Sequence, residues 1–230
     1  MSIVKKYKAE VIAIDSFIDG VYTLTLAPEK GRFRYSPGQF LHLAIDTEYD
    51  GASQWPNSRC FSLQTSPDET YAKITYAVNG EFTHQMENAI KPGSEVWVKL
   101  PYGELFDQEH SRSHTVFISG GTGITPYLSL FTDSSFAEYQ KPVLYAGFRS
   151  RIFNLYSNEL RRAATINRNL VENYIYQDTD GILNIDDIFA ENGVYASYFI
   201  SGPPVMIKSF KKALILKGVD EKNILTDDWE

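Results

Sequence analysis

Phe117-Ile-Ser-Gly120-Gly-Thr-Gly-Ile-Thr-Pro126 is the stretch whose reading decides the fold. The apolar run from Val116 to Ile118 reads as a buried strand, three glycines follow within four positions, and Thr125-Pro126 opens a helix. Glycines at such a turn let backbone N–H groups come close to a pyrophosphate, and the positive end of the next helix favours its charge. The spacing departs from G-x-G-x-x-G because Pro126 stands where the last small residue would be. Taken alone, the stretch also reads as a structural glycine-rich turn between strand and helix.

Working outward, the chain after residue 110 alternates strands and helices. Strands are expected over 116–119, 142–147, 173–176 and 198–201, with helices from about Pro126, near 154–164, over 185–190 and over 204–218. Such alternation implies parallel βαβ units. The chain before it is β-rich instead. Short segments at 11–17, 21–26, 40–45, 60–63, 72–78 and 95–100 are separated by turn signals such as Asp19-Gly20, Ser36-Pro37-Gly38, Asn79-Gly80 and Lys91-Pro92-Gly93. Six such strands predict a small antiparallel barrel, interrupted by one short helix that Thr83 caps and that runs to about Ile90. The polar stretch 105–114 marks the change. The expectation is therefore two domains: a six-stranded antiparallel β-barrel over 1–110 and a parallel-sheet α/β domain over 111–230.

Composition narrows the function. The 230 residues are 43% hydrophobic and 14% aromatic, which is a globular chain with room for full cores. A formal charge of −7 argues against a general nucleic-acid binder, although local basic clusters remain open. The single cysteine, Cys60, excludes an intramolecular disulfide and any multi-cysteine metal or iron-sulfur site within this chain. The four histidines (His42, His84, His110, His114) show no ligand spacing, so no metal is expected. Residues 1–10 lack the apolar core of a signal peptide and no run reaches membrane-span length, so a cytoplasmic protein is expected.

A second informative stretch is Ser58-Arg59-Cys60-Phe61-Ser62-Leu63. On a strand, Arg59 and Phe61 share one face while Cys60 and Ser62 share the other, and a local twist would gather cation, ring and hydroxyl around a flat ligand. Arginine binds a diphosphate bidentately and an aromatic ring covers a heterocycle. A strand with a surface arginine and a core phenylalanine is the plainer reading.

Together, Arg-x-Phe-Ser in a barrel and Gly-Gly-Thr-Gly-Ile-Thr-Pro opening an α/β domain resemble the ferredoxin NADP reductase family. The resemblance covers nearly the whole chain. Pro37-Gly38-Gln39-Phe40, Gly80-Glu-Phe-Thr83 and Ser201-Gly202-Pro203-Pro204-Val-Met206 match further family motifs in order. It implies FAD on the barrel and NADH or NADPH on the second domain. Arg59 would hold the diphosphate with the loop at Gly80, Phe82 and Thr83, Phe61 would stack on the flavin beside Cys60, and Ser62 would bond near flavin N5. Gly121, Thr122, Gly123 and Pro126, with Gly202 and Pro203, would take the nicotinamide dinucleotide. The expected activity is hydride transfer from NAD(P)H to the flavin, then electron transfer to a separate acceptor such as a ferredoxin-like protein or an oxygenase component. A reductase of diffusible flavin and a non-catalytic redox-sensing subunit are the alternatives. His84 reads as a helix-surface residue.

Two departures stand out. The family commonly has Cys before Gly-Pro-Pro, where this chain has Ser201, the second residue read as catalytic beside Ser62. At the end of the third α/β strand, Asp178 stands where members selective for NADPH tend to place Ser and Arg. A carboxylate accepts from a ribose 2′-hydroxyl and repels a phosphate, which favours NADH, while Arg149 and Arg151 argue the other way. Trp229 has two readings, a flavin-covering aromatic and a frayed tail. Lys208, Lys211, Lys212 and Lys217, and Lys5, Lys6 and Lys8, read as solvated faces or as a docking patch for an acidic electron carrier.

Overall fold

The computed structural model describes residues 3–46 and 48–227. Trp229 lies outside the described residues. The chain divides into two compact units, Met1–Glu104 and Leu105–Glu230.

The first unit contains β1 (Lys5–Ile18), β2 (Val21–Pro28), β3 (Phe40–Ala44), β4 (Arg59–Ser62), β5 (Ala72–Ala77), α1 (Glu81–Ala89) and β6 (Glu95–Tyr102). Its sheet runs β4-β3-β6-β1-β2-β5 with every pairing antiparallel. Strand β1 begins earlier than the expected residue 11. Its 14 residues serve two neighbours, with Lys5–Glu10 on β6 and Ala9–Ile18 on β2, so the lysine-rich start is a strand by pairing and not by its own propensity. The outermost strands β4 and β5 nearly close the barrel. The Gln64 N–H donates to Lys73 O at 3.0 Å, and the Thr75 hydroxyl donates to Gln64 Oε1 at 2.7 Å. Leu24, Leu26, Leu41, Leu43, Ile74 and Val98 fill the interior, each contributing about 1.5–3 kcal/mol by burial.

The second unit holds β7 (Thr115–Gly120), α2 (Thr125–Phe131), β8 (Pro142–Phe148), α3 (Ser157–Ile166), β9 (Val171–Tyr176), α4 (Ile185–Asn192), β10 (Ser197–Ser201), α5 (Pro204–Leu216) and β11 (Ile224–Thr226). The sheet order is β11-β10-β7-β8-β9, all parallel. Phe117 faces a core with α2 and α3, while Val116 and Ile118 face another with α4 and α5. Burial on both faces is why this strand reads as an unbroken apolar run. At three residues, β11 is too short to leave a pattern, and it escapes the sequence reading.

The polar stretch from residue 105 is not loose. Leu105 is buried in the second core and Phe106 packs on it. The His110 ring stacks on Tyr139 and meets Phe199 edge-on. In the neutral ring Nδ1–H donates to Gln108 O at 2.7 Å and Nε2 accepts from the Tyr139 hydroxyl at 2.7 Å. That arrangement needs the neutral ring. Burial, helped by the Arg112 charge and opposed by the Gln108 bond, pushes the His110 pKa below its ordinary value. A histidine held neutral in the fold binds fewer protons than it does unfolded. Its stabilising effect is full above the unfolded pKa and is lost as pH falls through the folded one. Unfolding free energy measured in denaturant is therefore expected to drop as pH falls below about 6.5. His42 and His114, also shifted down by burial, add to the slope. His110→Gln should flatten it, and an unchanged slope would refute this role for the ring.

Candidate functional site

Within the first unit, β4 and the start of α1 meet. The Arg59 guanidinium lies over the buried Phe82 ring, 5.3 Å from its centroid. It donates to Asn57 Oδ1 at 3.2 Å and Ser58 O at 2.9 Å, yet stays exposed. Phe82 thus supports the arginine from below and is not itself open to a ligand. Gly80 precedes the helix at φ +108°, a conformation glycine tolerates, and a Cβ there would meet open space. No side chain caps the helix start, so the amides of its first turn point outward unclaimed by a cap. Thr83 is not the cap expected of it. It sits inside the first turn, where its hydroxyl accepts from the Asn79 N–H at 2.8 Å and donates to Gly80 O at 3.1 Å, clamping the loop.

Exposed guanidinium, open glycine and uncapped helix start together fit a diphosphate. Phe61 is half-buried, packed on the barrel core with its ring 6.0 Å from that of Tyr76. Cys60 is turned to the other face, with Sγ 3.5 Å from His42 Nε2. Burial pushes its thiol pKa up, against the Arg59 charge. Along the strand Arg59 and Phe61 alternate with Cys60 and Ser62.

In the second unit the glycine stretch forms a tight 3₁₀ turn, Gly121–Ile124, before α2. The sheet order shows why it matters. The chain leaves β7 for β8 and β9 on one side, then returns to place β10 and β11 on the other. The carboxyl ends of β7 and β10 are therefore the switch point where parallel sheets open a crevice. The two motifs meet there: a Cβ on Gly123 would fall 2.6 Å from Gly202 Cα and 2.6 Å from Ser201 O. Gly202, at φ +146°, also lies close to the first motif, its would-be Cβ standing 3.0 Å from Gly120 N. Gly121, at φ +57°, borders open space, and Thr122 is half-buried beside it. Pro203 is exposed near Gly120, whereas Pro126 is buried at the start of α2 and serves the helix.

The loops after β8 and β9 run side by side. The Asp178 N–H donates to Arg149 O at 3.2 Å, and both side chains are exposed. Arg151 is instead laid over the Tyr176 ring at 5.3 Å. Ser201 is 2% exposed and its hydroxyl donates to Asp227 Oδ2 at 3.2 Å. Asp227 itself is 8% exposed, and its backbone N–H is fixed on Ile200 O at 3.0 Å. It is the residue that the sequence reading missed. Only the short β11 places it, and Asp227-Asp228 looks like part of a polar tail. The basic clusters are partly neutralised: Lys217 pairs with Asp186 at 2.7 Å, Lys211 with Glu221 at 2.9 Å and Lys8 with Glu95 at 2.9 Å. Lys6 donates to Gly51 O at 3.1 Å and to the Tyr49 hydroxyl.

Among the described residues, no group of three or more His, Cys, Asp or Glu side chains is placed to hold a metal ion, and no helix is long and apolar enough to cross a membrane.

Comparison with known proteins agrees with this geometry. Residues 117–212 match the oxidoreductase NAD-binding domain family. The chain is 35% identical over 127 residues to a Methanopyrus kandleri protein named probable dihydroorotate dehydrogenase B (NAD+), electron transfer subunit, covering 55% of this chain and 44% of that one. It spans about half the length of the curated relatives it matches, 51% and 44% for the first two. Its fold is similar to that of a Malassezia yamatoensis flavohemoglobin crystallised with bound FAD and heme (TM-score 0.80, 23% identity, 96% of this chain and 59% of that one). It is also similar to that of a Plasmodium falciparum ferredoxin-NADP+ reductase (TM-score 0.75, 18% identity, 97% of this chain and 96% of that one). Residues 117–212 thus belong to the oxidoreductase NAD-binding domain family, and over nearly all its length the chain has the fold of the ferredoxin-NADP+ reductase.

Proposed function

We propose that the chain is an FAD-dependent NAD(P)H oxidoreductase that passes electrons to a separate acceptor, a ferredoxin-like protein or an oxygenase component. The observation that carries this reading is the meeting of Gly123 and Gly202 at the switch point of the parallel sheet, with Gly121 open beside them. A dinucleotide belongs at such a place. The first unit supplies a second anion site of its own at Arg59 and the start of α1. A bound flavin supplies a centre that accepts two electrons as hydride and releases them one at a time. The protein's part is to bind and orient. Arg59 and the first-turn amides of α1 hold the diphosphate, the Phe61 strand borders the flavin ring, and Ser62 offers a hydroxyl near its reacting edge. Gly121 and Thr122 admit the nicotinamide dinucleotide. Ser201 acts as a positioning residue through Asp227. Asp178 favours a free ribose 2′-hydroxyl over a 2′-phosphate, which makes NADH the donor.

Anaerobic titration of the FAD-loaded chain tests donor and chemistry together. Flavin absorbance should bleach with NADH and more slowly with NADPH. A strong preference for NADPH would reject the role of Asp178, and no bleaching with either nucleotide would favour a redox-sensing subunit over an enzyme. Arg59→Ala removes a charged contact of about 1.5–3 kcal/mol and should weaken FAD binding by roughly 10- to 100-fold, read by fluorescence. A colourless protein that turns over free riboflavin at full rate would point to a reductase of diffusible flavin.

The two glycines should separate folding from binding. Gly123→Val drives a side chain into the Gly202 backbone and is expected to unfold the second unit in a thermal melt. Gly121→Ala faces only the backbone strain of a positive φ, about 1–2 kcal/mol, and should fold while binding the nucleotide more weakly. Unimpaired nucleotide affinity in Gly121→Ala would mean the dinucleotide lies elsewhere.

A further inference from the structure

The chain holds two Asn-Gly pairs, Asn79-Gly80 and Asn192-Gly193, and the fold treats them in opposite ways. An asparagine before glycine is open to attack by its own main chain: the glycine nitrogen can reach the side-chain amide carbon because no Cβ on the glycine crowds the approach. The second pair is tied at both reacting groups. Asn192 Nδ2 donates to the Tyr145 hydroxyl at 2.9 Å and to Ile188 O at 2.8 Å, its Oδ1 accepts from His114 Nε2 at 3.0 Å, and the Gly193 N–H donates to Phe189 O at 2.8 Å. The first pair is exposed. Its bonds run from the Asn79 N–H to the Thr83 hydroxyl at 2.8 Å, and to Gly80 O from that hydroxyl and from the His84 N–H, both at 3.1 Å. All of them spare the reacting groups, and among the described residues nothing pairs with the Asn79 side chain or the Gly80 N–H. A Cβ on Gly80 would meet nothing within 4 Å, so the loop has room for a ring to close.

We propose that Asn79 is a self-deamidating site, and that its conversion to a carboxylate turns the neighbouring anion site from attracting to repelling. The second half rests on the proposed reading of Arg59 and the start of α1 as a diphosphate site. The chemistry needs only water. The Gly80 nitrogen gives up its proton to solvent and bonds to Asn79 Cγ, the bond from Cγ to the side-chain nitrogen breaks, and ammonia leaves a cyclic imide behind. Water then opens the imide at either carbonyl, which yields aspartate or isoaspartate with no change in oxidation state. Either product brings a full negative charge to the loop before α1, where the uncapped first-turn amides favour it. The same charge opposes a diphosphate. Isoaspartate also moves the side-chain methylene into the main chain, which separates the Asn79 N–H from Gly80 O and breaks the Thr83 clamp that holds both. Gly193 is fixed at the end of α4, so of the two pairs only the one beside the anion site changes.

The test ages the full chain at mildly alkaline pH, with samples taken over time for peptide mapping by tandem mass spectrometry and, after removal of flavin, for titration with FAD. Asn79 should gain about 1 Da and split into separable aspartate and isoaspartate forms while Asn192 stays intact, at a rate that rises with pH. FAD affinity should fall in step by about 3- to 10-fold. Asn79→Asp should show that loss when fresh, and Asn79→Gln, whose longer side chain closes the ring far more slowly, should keep its affinity through the same incubation. An unchanged Asn79, or an Asn192 that converts as fast, would overturn the site. Conversion at Asn79 with FAD affinity intact, in the aged chain and in Asn79→Asp, would overturn its effect on binding. A fresh parent chain that binds no FAD would instead reject the flavin reading, and the peptide map would still decide the modification.

Discussion

The second unit is built around a place where two backbones touch. Strands β7 and β10 are neighbours, but α2 after the first packs on one face of the sheet and α5 after the second on the other. The chain must part at this point, and a side chain at Gly123 would hold the parting too wide, since its Cβ would stand 2.6 Å from Gly202 Cα. Glycine at 123 and 202 brings the two turns together, while Gly121 keeps its conformational freedom and borders open space. The glycines of these two motifs therefore have different jobs. Two of them let protein meet protein, and one leaves room for something else.

The proposed anion sites of the two units rest on local physics. A chain of charge −7 repels anions on average, yet α1 begins with uncapped amides beside an exposed arginine. Helix-end and guanidinium fields act within a few ångströms, whereas net charge is screened over about 8–10 Å in physiological salt. Local arrangement decides binding. The same reasoning lowers the weight of the lysines on α5 and at its end as a docking patch, because Lys211 and Lys217 are already paired with carboxylates.

Much of this was legible in the sequence. The six barrel strands, the βαβ series and the sheet-ending glycines follow from period, turn residues and length, all of which are local properties. What was hidden depended on partners far along the chain. Lys5–Glu10 is a strand because β6 lies beside it, and β11 is a strand because β10 does. Thr83 has the chemistry of a cap, but Gly80 takes that position because its φ of +108° suits it, and Thr83 clamps the loop instead. At the site, the family resemblance brought Arg59 and the Gly80 loop into one hypothesis, and the structure joins them through Phe82. The packing of Cys60 on His42, away from Phe61, needed the neighbouring strand to be known.

Asp227 accounts for a departure that sequence could only register. Where the ferredoxin NADP reductase family that the chain resembles commonly carries cysteine, this chain has Ser201, and its hydroxyl donates to a carboxylate that is only 8% exposed. A buried carboxylate is costly unless strong donors satisfy it, and a thiol is a weak donor where a hydroxyl is a good one. The charge also reaches the surrounding core: after burial itself, Asp227 is what holds the Tyr127 phenol well above its ordinary pKa, and that phenol donates to Ile118 O at 3.0 Å in the middle of β7. Serine at 201 and aspartate at 227 are thus one choice and not two. The hydroxyl stabilises the carboxylate, and the carboxylate fixes the hydroxyl, at the end of the strand beside the switch point.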